Sequence, residues 1–70
     1  MKISTRNVLS GKIISIVSGP VSTEVTLEIA PGVEIVSSIT THSAKSLGLK
    51  EGDQAYGLVK ASSVMIGIDD

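Results

Sequence analysis

Polar and apolar residues alternate most cleanly between Val21 and Ile29. Val21, Thr23, Val25, Leu27 and Ile29 share one parity, and Ser22, Glu24, Thr26 and Glu28 share the other. Successive side chains of an extended backbone point to opposite faces, so a period of two predicts a strand with one dry face and one wet face. The stretch before it, Lys12 to Ser18, is β-branched and more apolar than a one-sided strand requires. Gly19-Pro20 separates the two as a tight hairpin signal. Ala30-Pro31-Gly32 makes a second turn, and Pro31 marks where ladder hydrogen bonding stops, since proline has no N–H to donate. A third strand follows over Val33 to Ile39.

One segment reads as helical. Thr41 to Leu47 begins with a capping-type threonine and is closed by Gly48, which brackets about one and a half turns. Lys50-Glu51-Gly52-Asp53 then turns the chain into a fourth strand, Gln54 to Lys60, and Val64-Met65-Ile66-Gly67-Ile68 reads as a fifth. Gly11, Gly57 and Gly67 inside these strands suit the bends that closing a small sheet demands. The order predicts an all-β fold, a small five-stranded OB-like Greek-key barrel with one short helix between strands 3 and 4. No linker, repeat or low-complexity stretch interrupts it, so residues 1–70 are expected to form a single domain.

Composition adds a constraint that the pattern alone does not contain. A chain of 70 residues buries only about 60% of the surface exposed by its unfolded form. Hydrophobic residues are 41% of this one, mostly Ile, Val and Leu, with Tyr56 the sole aromatic. There is no cysteine, so neither a disulfide nor a thiolate metal site supplies a staple. Surplus aliphatic residues on so small a domain are expected to lie between copies of the chain, in a homo-oligomer. The start, Met1 to Arg6, has no apolar core of a signal peptide, and no run is long enough for a membrane span, so the expected setting is the cytoplasm, with no membrane partner.

Charge and side-chain chemistry narrow the function. The formal net charge is −1, which gives no broad positive field for a polyanion. A barrel that binds single-stranded nucleic acid stacks bases on aromatic rings and follows phosphates with Lys and Arg. One tyrosine on a slightly acidic chain argues against that. There is a single histidine, His42, and no Gly-x-Ser-x-Gly elbow or paired acid, so an enzyme is not expected. What remains is a set of anion-binding pieces. Ser4-Thr5-Arg6-Asn7 supplies hydroxyls, a guanidinium and an amide; Thr40-Thr41-His42-Ser43 opens the helix; Lys60-Ala61-Ser62 supplies an ammonium, a small residue and a hydroxyl. Each alone has a plainer reading, as a frayed terminus, a helix cap or a solvated edge charge.

Together, and in this order, the pieces resemble the molybdate-binding Mop family, or molbindins. The family's Ser-Ala-Arg-Asn-like start is matched here by Ser4-Thr5-Arg6-Asn7, followed by Gly11-Lys12-Ile13 and a hairpin segment from Gly19 to Val25. Ile39-Thr40-Thr41-His42-Ser43, Leu47-Gly48-Leu49 with Gly52, and Lys60-Ala61-Ser62-Ser63-Val64 complete the pattern over nearly the whole chain. The resemblance implies a hexamer, a trimer of dimers, that holds molybdate or tungstate between subunits for storage or homeostasis, without an organic cofactor or a directly ligated metal cation. Carried over residue by residue, the pocket draws on Ser4, Arg6, Thr40, Ser43, Lys60 and Ala61, with Thr5, Asn7 and Ser62 beside them. Thr5 departs from the family's alanine and adds a methyl and a hydroxyl. The competing readings are an oligomeric interaction module without a ligand and an oligonucleotide-binding barrel.

Overall fold

A computed structural model describes residues Met1–Asp70. Four strands are present: β1 (Asn7–Ser18), β2 (Ser22–Ala30), β3 (Val33–Thr40) and β4 (Gln54–Val59), with α1 (Thr41–Leu47) between the last two and a single 3-10 turn, Ala61–Ser63, after β4. They form one antiparallel sheet in the order β3-β2-β1-β4. The sheet curls into a half-barrel: a Cβ on Gly57 of β4 would lie 2.7 Å from Ile35 Cδ1 of β3, although these are the two outermost strands. No helix is long and apolar enough to cross a membrane.

The alternation expected over Val21–Ile29 holds in the middle of β2 and fails at its start, where Val21 precedes the strand and is exposed. Thr23, Val25 and Leu27 are buried, while Ser22, Glu24 and Ala30 are exposed. Strand β1 starts earlier than Lys12, because Asn7 to Lys12 pair with Val59 to Gln54 of β4. It also contains a bulge that a strict period of two does not foresee. Ile13 faces Leu27 and Ser15 faces Thr26, leaving Ile14 as the additional residue. The parity shift turns both Ile13 and Ile16 inward, where they meet the Val25 and Leu27 side of β2. The Lys50–Asp53 turn holds this bulge in place. Ile13 N donates to Asp53 O at 2.8 Å, Gly52 N donates to Ile13 O at 2.7 Å, and Ile16 N donates to Glu51 Oε1 at 3.2 Å.

Of the three glycines expected to bend strands, Gly11 is required by close approach: a Cβ there would stand 2.7 Å from the Glu28 carbonyl oxygen, whereas one at Gly57 would meet the movable end of the Ile35 side chain. Gly67 has nothing within 4 Å and bends no strand. The fifth strand expected at Val64–Ile68 is absent from the sheet. Ser63 N donates to Lys60 O and Val64 N to Ala61 O, and this turn carries the chain away from β4 rather than back along it. An extended segment is held by a strand edge and an apolar face, and this one reaches neither of those in its own chain.

The interior is thin. Five of 70 residues are buried, with Ile13, Val25 and Leu27 as the apolar core and Ile16, Ile29, Ile35, Ile39, Leu49 and Ala55 packed partly against it. Val17, Val21, Val36, Tyr56 and Leu58 remain exposed on the strands and turns.

Candidate functional site

The register of the sheet decides where each donor segment lies. Asn7 pairs with Val59, and Asn7 Nδ2 donates to the Val59 carbonyl at 3.2 Å. The segment before β1 and the segment after β4 therefore start from one corner, Ser4–Arg6 leading into Asn7 and Lys60–Ser62 leading out of Val59. Arg6 and Lys60 are both exposed there, and neither segment contains a carboxylate.

Thr40 and Ser43 are elsewhere. Thr40 pairs with Ser22 at the start of β2, and Thr23 pairs with Ser18 at the end of β1. The helix start thus sits at the far end of β1 from Asn7. A strand of 12 residues separates the two groups by roughly 36 Å along its contour. The chain brings two of its three donor segments together and holds the third at the opposite end.

Local interactions fix the third segment firmly. Thr40 is the N-cap of α1: its hydroxyl accepts from Ser43 N at 3.0 Å and donates to Ser43 Oγ at 2.7 Å. The helix closes at Gly48, whose φ of 64° is left-handed and favours glycine. Thr41, expected from sequence to open the helix as a capping residue, is not the cap. Its hydroxyl donates to Gly19 O at 2.7 Å, so in its 2.8 Å contact with Thr23 Oγ1 it is Thr23 that donates. This relay ties α1 to the β1–β2 hairpin, and Thr41 N to Val21 O at 2.8 Å adds a backbone bond. Thr23 and Thr41 carry positioning roles that the sequence reading left unassigned; the available signal was a buried-parity threonine among Val, Leu and Ile. His42 is exposed on the first helical turn.

Two concavities occur in the chain. One of about 320 Å³ lies between the hairpin and α1 and is lined by Ser18, Thr23, Thr41 and Lys45 among others. The other, about 530 Å³ and mainly apolar, lies between the β3 and β4 edges. None of the nine residues proposed from sequence to bind the anion lines either one.

The TOBE domain family matches residues 3–66. A probable molybdenum-pterin-binding protein of Haemophilus influenzae is 42% identical over 69 residues, covering 99% of this chain and all of the relative. Molybdenum-pterin-binding protein 2 of Clostridium pasteurianum is 47% identical over 66 residues, covering 94% and 97%. Among solved structures, a molybdate-binding protein from Sporomusa ovata superposes with a TM-score of 0.90 at 37% identity, covering 97% of this chain and all of that one. The cytoplasmic molybdate-binding protein ModG, solved with molybdate bound, gives 0.92 at 40% identity over 99% of this chain and 49% of its own. Sequence and fold together establish that the chain belongs to the TOBE domain family, in its Mop group of molybdenum-binding proteins.

Proposed function

We propose that the protein binds molybdate, and tungstate with it, in pockets that are complete only when copies of the chain associate. The full-length similarity to molybdate- and molybdenum-pterin-binding proteins supports the ligand. The observation that carries the mechanism is the separation of donor segments: Arg6 and Lys60 at one corner of the sheet, Thr40 and Ser43 at the far end of β1. A pocket using all of them draws the corner of one copy against the helix start of another. The hexamer, a trimer of dimers, is one assembly that achieves this, and closure of each half-barrel into a five-stranded OB-like barrel belongs to the same reading. The role is storage or homeostasis of the anion in the cytoplasm, without catalysis and without an organic cofactor.

The chemistry follows from the donor set. Molybdate at neutral pH is a tetrahedral dianion that accepts hydrogen bonds at every oxygen and carries no proton. Ser4–Asn7, Thr40–Ser43 and Lys60–Ser62 contain no carboxylate, so the three segments provide no acidic acceptor to compete with it. Hydrogen phosphate has a proton to place, and such a shell offers it only neutral hydroxyl, amide and carbonyl acceptors, weaker than a carboxylate. Sulfate has none, so it is excluded by its smaller size and oxygen spacing, whereas tungstate matches molybdate in both. Charge-assisted hydrogen bonds contribute roughly 1.5–3 kcal/mol each. Four or five of them against the cost of desolvating a dianion are compatible with about micromolar affinity, near −8 kcal/mol.

Isothermal titration calorimetry with molybdate tests the assignment. Replacing Arg6 or Lys60 by alanine is expected to weaken binding by about 2–5 kcal/mol, the range for removing one partner of a desolvated charge contact. Affinity at the wild-type level in both variants removes these residues from the site.

A further inference from the structure

Three hydrogen bonds made by side chains join β1 to the stretch of chain that ends in β4. Asn7 Nδ2 donates to Val59 O at 3.2 Å, Gln54 Nε2 donates to Ser10 Oγ, and Ile16 N donates to Glu51 Oε1 at 3.2 Å. No side-chain bond crosses from β1 to β2 or from β2 to β3; the others gather at the start of α1. The polar fastenings thus lie on the one pairing whose partners are farthest apart in sequence, where loop closure costs most. Asn7 stands apart from the other two. It forms the last pair of the β1–β4 ladder with Val59, and the residues next outward are Arg6 and Lys60. Both are exposed cations, and neither flanking segment has a carboxylate to set between them. Like charges leaving one ladder end push it open, and a terminal pair is where a ladder frays first.

We propose that Asn7 is a positioning residue for the anion: its side-chain amide holds closed the ladder end from which Arg6 and Lys60 depart, and it does not itself bind the oxyanion. The amide ties the start of β1 to the carbonyl that immediately precedes Lys60, so one bond sets the spacing of the two chains that carry the cations. A carbonyl oxygen only accepts, so this bond fixes which way the half-buried amide is turned and commits one of its N–H groups. The amide's own oxygen is an acceptor and offers an oxyanion nothing. With the end already closed, the anion does not have to order it on arrival, and affinity gains by the freedom given up beforehand. The inference rests on the assignment of Arg6 and Lys60 to the anion site proposed above. It moves Asn7 from the pocket, where its place in the motif put it, to the support of the pocket.

The test compares Asn7→Ala with Ser10→Ala in the full chain by molybdate calorimetry, with circular dichroism and sedimentation velocity checking that fold and mass match the wild type. Ser10→Ala removes the neighbouring fastening, to Gln54, and leaves the corner untouched, so its Kd is expected at the wild-type value. Asn7→Ala is expected to weaken binding roughly two- to tenfold, the effect of one net hydrogen bond written as an equilibrium ratio. A wild-type Kd for Asn7→Ala, or an equal loss in Ser10→Ala, overturns the proposal. Nuclear magnetic resonance of the unaltered protein separates support from direct contact and depends on no variant folding. One Nδ2 proton of Asn7 is expected to exchange slowly before molybdate is added and to shift little at saturation. Protection that arises only with molybdate makes Asn7 a ligand and overturns the proposal. If the wild type binds no molybdate, the anion reading falls and the positioning role falls with it. Binding by the wild type with Asn7→Ala unaffected removes the positioning role alone.

Discussion

The β1–β2 hairpin and the C-terminal arm use the same aliphatic residues to opposite effect. Ile13 is wholly buried against Val25 and Leu27, while Ile66 stands almost entirely in solvent. Side-chain hydrophobicity is identical in the two places, so it cannot be what separates them. The difference is the neighbouring strand: Ile13 has Leu27 across the ladder and the Gly52–Asp53 turn bonded to its backbone, and Ile66 has neither within its chain. A strand pattern is therefore a statement about a surface in need of cover, and the cover need not come from the same chain.

Four substitutions sharpen that contrast when unfolding is followed at fixed protein concentration, as linkage to assembly requires. Ile13→Ala strikes the centre of the buried half and is expected to cost about 2–5 kcal/mol, the range for truncating a core aliphatic residue. A loss below 1 kcal/mol by denaturant titration contradicts a core centred on this hairpin. Gly11→Ala places a Cβ 2.7 Å from the Glu28 carbonyl oxygen, and because backbone has to give way it is expected to cost about 1–3 kcal/mol. Thr23→Val keeps the shape but removes the donor to Thr41, with an expected cost of about 1 kcal/mol. Faster amide exchange in α1 than in the rest of the sheet is its local signature. The smallest effect has the opposite sign. Glu28 lies between Lys12 on β1 and Glu34 on β3, so one neighbour attracts it and the other repels it. Glu34→Lys is expected to raise stability by about 0.2–1 kcal/mol, and the gain should shrink as salt is added.

Much of this architecture is readable from residue order. The alternation of β2 places Thr23, Val25 and Leu27 inside, and Thr40 to Gly48 brackets α1, because in both cases the signal is local. The bulge at Ile14 is not local. It depends on Glu51 and the Gly52–Asp53 turn reaching β1 from more than thirty residues away, so spacing within Lys12–Ser18 cannot reveal it. Val64–Ile68 alternates as a strand would, yet it joins no ladder of the sheet, because alternation says nothing of whether a neighbouring strand is within reach. The candidate site divides in the same way. Residue chemistry nominates Arg6, Thr40, Ser43 and Lys60, but their placement at opposite ends of β1 follows only from the register of three strand pairs.

The pairing of β1 with both β2 and β4 also sets an order of folding. The β1–β2 and β2–β3 ladders close across short turns, whereas Asn7 meets Val59 only after the whole intervening chain has been gathered. Closing a loop roughly ten times longer costs about 2 kcal/mol more in chain entropy. The three-stranded meander is thus expected to form first and β4 to dock last, the slow step of a topology with distant contacts. The rim that β4 supplies to the apolar concavity, and the corner it shares with Arg6, exist only once that final docking is complete.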